Sequence, residues 1–405
     1  MENPVRPLLS KSSNRRSFLK NGAVAAGATV GASLLAGAPA SFALARLEDE
    51  GGSGELTRGD VAILRFLQAL ETIEADLWTQ YAELGGATNQ NLSPIDLPFT
   101  TGISPDYAVA LQFLDGDMPQ YIADNTDDEL SHSAWLAAFL ELKGIEPVDL
   151  TKFAHLAPSK VTGVPQHGRL TNLKQLTVDT SWWTRYRSAT LNPDLGDTNF
   201  PNAVPDLAKA PHSAIPRDDN DIDAAANNLN ANPPVINTHL QAIANTAGFH
   251  FGFIEQGGSS LYPSLAQRVH SAEVLRILLS IGPTETSHFQ TWHDKAGNAP
   301  TLTDGNLTFP NLSFPIPPTP GQSTDPNVAD ALQSNLIMPE PTFFLSRKLP
   351  TISIIRPTET VNAAKGAVKA LMDDGLFIGH TVNGKSDGFV ELLQDLAEDA
   401  DEARR

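Results

Sequence analysis

Two histidines, His132 and His288, each follow a glutamate by three residues inside a stretch whose apolar residues recur every three to four positions. The pairs are Glu129-x-x-His132 and Glu285-x-x-His288. Each is preceded by another helical-period stretch with a glutamate among its apolar residues: Glu71, beside Leu70 and Ile73, and Glu255, beside Ile254. Residues three apart project from one face of a helix, so each Glu–His pair can approach one point together. A carboxylate in an apolar stripe is costly to bury unless it is paired or bound to a cation. Facing carboxylates repel one another, and two divalent cations between them would remove the repulsion. Four such stretches point to a mainly helical fold.

The periodicity predicts helices over residues 57–84, 118–143, 235–255 and 271–292. Gly85-Gly86 closes the first, and Gly144 and Pro147 close the second. The apolar face of the second is expected to include Trp135, Leu136, Phe139, Leu140 and Leu142. Gly257-Gly258-Ser259-Ser260 follows Glu255 and points to a helix end there, with Tyr262 beyond it. Gly282-Pro283 predicts a kink or break in the fourth helix, just before Glu285. Glu71 precedes Trp78 by seven residues and Glu255 precedes Tyr262 by seven, so the order reads as two related helical hairpins. On the first helix Glu71 is preferred for this spacing, with Glu74 as the alternative.

This constellation resembles the ferritin-like superfamily, in whose two-metal carboxylate proteins two helices give one Glu each and two give Glu-x-x-His. The order along the chain is similar to bacterioferritin and rubrerythrin. The insertion-rich form resembles the exported bacterial ferritin-like proteins related to a plant desiccation protein. The resemblance implies a mainly α fold: a ferritin-like four-helix bundle with a long insertion between helices two and three and a Pro-rich, partly helical C-terminal extension. It implies two divalent metal ions, Fe foremost and Mn as the alternative, held by Glu71, Glu129, His132, Glu255, Glu285 and His288. Glu71 and Glu255 would be the single-helix ligands, Glu129 and Glu285 would bridge or cap, and His132 and His288 would take one ion each. The resemblance covers residues 57–144 and 235–295.

The rest of the chain is less patterned. Residues 145–234 are rich in Pro, Asn and Asp, with a short strand or turn expected near 170–178. Trp182-Trp183-Thr184-Arg185-Tyr186-Arg187 reads as packing of this insertion onto the helices, with a lid over one bundle end as the alternative. Residues 296–345, with Phe314-Pro315-Ile316-Pro317-Pro318-Thr319-Pro320, read as extended loop or linker. Helical pattern returns at 360–373 and 387–400. His250 and His293 read as surface or core histidines, and Trp78, Tyr81 and Tyr262 as core filling, with redox-active neighbours of the metals as the alternative.

The first 45 residues read as a signal peptide. Arg15-Arg16-Ser17-Phe18-Leu19-Lys20 precedes a weakly apolar Ala/Gly run and a small-x-small site at Ala43-Leu44-Ala45. The paired arginines resemble the twin-arginine signal, although Asn14 stands where Ser or Thr is usual. The expectation is export by that pathway to the periplasm or the outside, with no membrane span left after cleavage. The segments are then 1–45 signal, 46–144 helices one and two, 145–234 insertion, 235–295 helices three and four, and 296–405 extension. A formal charge of −19 repels phosphate backbones and argues against nucleic-acid partners. With no cysteine, thiolate metal sites, iron–sulfur clusters and thiol nucleophiles are excluded, so a metal must be held by oxygen and imidazole.

Two functional classes follow. The first is an oxidoreductase-type centre reacting with dioxygen or peroxide to oxidise iron or a small substrate. The second is a non-catalytic stress or surface protein that uses the helices as a scaffold. An iron-storage shell is a third, disfavoured by the long insertion and tail.

Overall fold

The computed structural model describes residues 56–87, 102–185, 199–312 and 361–403. The signal segment and the Pro-rich run at 314–320 lie outside the described residues.

The chain is mainly helical, and its four longest helices coincide with the periodic stretches. Helix α1, Arg58–Gly85, starts at Thr57, whose hydroxyl oxygen accepts from the Asp60 amide at 3.1 Å. A short α2, Pro105–Gln112, which the periodicity did not indicate, leads into α3, Met118–Leu142. Asn237 caps α4, Thr238–Ala266, by accepting from the Leu240 amide at 2.8 Å. Ser271 caps α5, Ala272–Ala296, in the same way through the Glu273 amide. Helix α1 packs along α3, and α4 along α5. Each helix buries an apolar stripe, such as Leu67, Ile73 and Leu77 of α1 and Val274, Leu278 and Phe289 of α5.

Expectations for three of the helices are revised. Helix α4 does not end near Glu255; it continues through Gly257-Gly258 to Ala266 and carries Tyr262. Helix α5 runs through Gly282-Pro283 without the break that was one of the two expectations there. Pro283 is solvent-exposed, so the carbonyl deprived of its amide partner can be satisfied by water. On α3, Trp135 and Leu142 are exposed, and the apolar face consists of Leu136, Phe139 and Leu140.

The insertion is irregular but firmly docked. Leu156 pairs with Arg169 and Leu176 with His212 as isolated bridges, which is all the strand character near 170–178. Arg169 is fully buried against Glu83 of α1. Asp76 Oδ2, also on α1, accepts from the Leu170 and Thr171 amides and from the Thr171 hydroxyl at 2.6 Å. Trp182 is buried against α4, where a methyl at Gly252 would come within 2.3 Å of its ring. Trp182 and Trp183 thus pack the insertion onto the helices, as the favoured reading expected, while Tyr186 and Arg187 lie outside the described residues.

Beyond α5, strands β1, Leu302–Asp304, and β2, Leu307–Phe309, pair antiparallel with Leu302 opposite Phe309. This hairpin stands where extended loop was expected. Helix α6, Ala363–Asp374, precedes the two-residue strands β3, Thr381–Val382, and β4, Lys385–Ser386. Helix α7, Phe389–Glu402, packs on both α1 and α6. Among the described residues no helix is long and apolar enough to cross a membrane.

Candidate metal centre

The six sequence-predicted side chains converge between the four long helices. Two overlapping groups form, Glu71, Glu129, His132 and Glu285, and Glu129, Glu255, Glu285 and His288. In each, one donor atom per residue lies within 4.8 Å of every other. Glu129 and Glu285 belong to both groups, while each histidine and each single-helix glutamate belongs to one. Glu74, the alternative on α1, is partly buried and lies outside both groups. Glu71, preferred for its seven-residue spacing to Trp78, is the α1 glutamate that joins the cluster.

The distances carry the chemistry. His132 Nδ1 lies 3.3 Å from Glu71 Oε2, 3.2 Å from Glu129 Oε2 and 3.3 Å from Glu285 Oε1. One ring nitrogen has at most one proton and cannot satisfy three acceptors. His288 Nδ1 repeats the pattern, 3.1 Å from Glu129 Oε1 and 3.3 Å from Glu255 Oε2. Ligand atoms about 2.0–2.2 Å from a common cation stand roughly 3.0–3.4 Å apart, so these spacings fit donors around an ion. Glu129 turns one oxygen to each histidine, which is the disposition of a bridging carboxylate.

Outer contacts hold the donors in place. Tyr262 donates its hydroxyl to Glu71 Oε1, leaving Oε2 to face inward. Asn125 Nδ2 donates to Glu129 Oε1 at 2.9 Å and Glu255 Oε1 at 3.0 Å, while Asn125 Oδ1 accepts from Trp292 Nε1 at 2.8 Å. His288 Nε2 meets Asp128 Oδ2 at 3.1 Å. Such second contacts fix the ring and carboxylate orientation of ligands. The sequence reading missed Asn125 and Asp128; the signal for Asn125 was its place one helical turn before Glu129.

On the Asn125 side the cluster is backed by aromatic rings through Trp292. Trp78 stacks on Trp292 at 5.4 Å, and Phe251 lies 4.9 Å from Trp78 and 4.8 Å from Trp292. Trp78, Tyr81 and Tyr262 all fill the core, as expected. His250 and His293 are buried and outside the cluster. His250 bridges Tyr81 Oη at 2.7 Å and Asp374 at 3.0 Å, tying α6 to the core.

All four carboxylates are almost fully buried. Burial pushes Glu71 up to about 7, against the pull of His132. Burial and the neighbouring carboxylates lift Glu285 well above the usual range, and burial also lifts Glu255. Glu129 goes the other way: burial opposes its ionisation, but the contacts from His132 and His288 outweigh it and hold the carboxyl low. The histidines are driven up in turn, against burial, by the glutamates around them.

Several of these atoms have no hydrogen-bond partner. Glu71 Oε2, Glu255 Oε2, both Glu285 oxygens and His288 Nδ1 are buried and unsatisfied. Buried polar atoms left unpaired at one point call for an ion or another ligand. Four carboxylates with neutral histidines carry four negative charges, which two divalent cations balance. Oxygen and imidazole donors of this kind suit Fe and Mn and also accept Zn.

Comparison with known proteins returned no matching family model, no matching curated protein and no matching solved structure.

Proposed function

We propose that this chain is a ferritin-like four-helix bundle whose core holds two divalent metal ions, Fe foremost and Mn as the alternative, at an oxidoreductase-type centre. The observation that carries this reading is the sharing of Glu129 and Glu285 between two donor groups, each completed by one histidine and one further glutamate. Glu71 and His132 would hold one ion, Glu255 and His288 the other, and Glu129 and Glu285 both. When bound, the ions would supply the redox equivalents for reaction with dioxygen or peroxide, with iron or a small molecule oxidised.

The chain's own residues do the rest. Tyr262 and Asn125 keep the inward carboxylate oxygens aimed at the centre. Buried Trp78, Phe251 and Trp292, reaching the carboxylates through Asn125, keep the surroundings apolar and the local dielectric low, which strengthens charge interactions there. His132 and His288 are the ligands that retain slight exposure, so solvent and small reactants reach the centre on the histidine side.

Export by the twin-arginine route belongs to the same proposal and rests on residues 1–45 alone. That route carries folded proteins, so the ions would be inserted before translocation. N-terminal sequencing of the exported protein is expected to begin just after Ala45.

The test is metal content together with a visible-range spectrum under air and under peroxide. Two ions per chain and a spectrum that changes with oxidant support the reading. A metal-free, redox-silent protein of full stability would leave the helices as a scaffold for surface contacts.

A further inference from the structure

We infer that His155, His380 and Asp387 form a separate metal site, a two-histidine, one-carboxylate face for a single first-row divalent ion, zinc above all, that clasps the insertion to the C-terminal segment. The site shares no residue with the central cluster and does not rest on the function proposed for it. Its three donor atoms lie within 4.8 Å of one another.

The donors come from two distant parts of the chain. His155 follows the turn Thr151–Phe153 of the insertion. His380 immediately precedes β3, and Asp387 lies between β4 and α7. His155 Nε2 stands 2.6 Å from Asp387 Oδ2, and His380 Nδ1 stands 2.8 Å from the same oxygen. Two imidazole nitrogens thus meet at one carboxylate oxygen.

The outward atoms of two donors are already engaged. His380 Nε2 is 2.8 Å from the Leu170 carbonyl oxygen, which only accepts, so Nε2 bears the proton. With its proton there, a neutral His380 turns a lone pair inward from Nδ1. Asp387 Oδ1 accepts from the Phe389 amide at 2.9 Å, which leaves Oδ2 for the inward position. A histidine whose far nitrogen donates to a backbone carbonyl is the usual outer arrangement of a metal ligand. The His380 ring is also held flat on Phe389, with centroids 4.0 Å apart.

An inward lone pair facing a carboxylate oxygen is repulsive, so either a second proton on His380 or a cation must stand at that point. A cation at about 2.0–2.2 Å from each donor would open their spacing to about 3 Å, a movement of less than about 1 Å. His155 is placed to make that movement, because its side chain is 35 % exposed while those of His380 and Asp387 are 2 % and 5 %. The exposed side also leaves room for a water to complete a four-coordinate shell.

The experiment counts zinc bound per chain by dialysis and elemental analysis, in the full mature protein and in its His155→Ala and Asp387→Asn variants. His155 lies at the surface, so its replacement leaves the fold intact, as helix content by circular dichroism verifies. The expected result is one equivalent fewer in each variant, and a melting temperature that rises with zinc in wild type more than in His155→Ala. Cobalt substituted for zinc should give a visible band that His155→Ala lacks. Equal zinc counts in wild type and His155→Ala would overturn the site. Loss of a single equivalent in His155→Ala from a wild type that binds one in all would uphold the clasp while removing the central centre.

Discussion

A methyl group on Gly258 of α4 would lie 2.4 Å from Oε2 of Glu285 on α5, so the absence of a side chain at one residue is what admits the carboxylate of the other. This glycine serves close approach inside a helix, not helix termination. Gly258→Ala is expected to push Glu285 out of line without removing any donor. Displacement of a ligand's support should lower metal affinity about 10–100-fold. The crowding itself should cost about 1–3 kcal/mol of stability. Metal titration and thermal melts of the variant measure both; unchanged affinity would contradict the placement of Glu285.

Asn125 serves three partners at once, two glutamates and the Trp292 ring N–H. Asn125→Ala strips a donor from each carboxylate and leaves the indole N–H unpaired in the core. Each buried group so orphaned costs about 1–3 kcal/mol, so the variant should lose several kcal/mol in denaturant unfolding without metal. A loss below about 1 kcal/mol would show that water replaces the amide.

The four long helices and the two Glu-x-x-His pairs could be read from the sequence, because apolar periodicity and i, i+3 spacing are local properties that burial reinforces; the grouping of all six side chains was implied by the resemblance to the ferritin-like superfamily. What stayed hidden is long-range. Gly257-Gly258 and Gly282-Pro283 carry the local chemistry of helix ends, yet both stretches stay helical. Gly258 makes room for Glu285, and a methyl at Gly282 would come within 2.8 Å of Tyr262. Those are tertiary reasons that no local rule contains. Trp135 was misassigned because an apolar residue on a polar face looks the same in sequence as one on the core face. The insertion has no period at all; its order comes from Asp76 and Glu83 of α1 binding Thr171 and Arg169.

Glu83 and Arg169 are both about 1 % exposed and form an ion pair between α1 and the insertion. Glu83→Gln leaves the guanidinium buried without its counter-charge. The expected loss is about 3–5 kcal/mol. The double variant Glu83→Leu/Arg169→Met, which removes both charges, should recover most of it. Equal losses in the single and double variants would show that packing, not charge, holds the insertion here.

His239 reports on pH. Its Nδ1 is 2.6 Å from Asp304 Oδ2 and its Nε2 3.2 Å from Asp221 Oδ1. Burial alone would lower its pKa, but the bonds to Asp304 and Asp221 outweigh burial and raise it above 6.5. The protonated form is therefore favoured by folding. Its contribution is fully present below pH 6.5 and is lost as pH rises through the raised value. The ring is partly exposed, so the effect is small and weakened by salt. Melting temperatures of wild type and His239→Gln should differ most below pH 6.5 and converge at higher pH. A difference that grows with pH would reverse the assignment.

The most direct measurement is the number of Fe(II) or Mn(II) ions bound per chain under anaerobic conditions, in wild type, Glu71→Ala and Glu129→Ala, with His155→Ala as background to remove the peripheral site. The account predicts two ions in the background protein, weakened binding of one of them in Glu71→Ala, and no stoichiometric binding in Glu129→Ala. Two ions retained by folded Glu129→Ala, or none bound by the background protein, would contradict it.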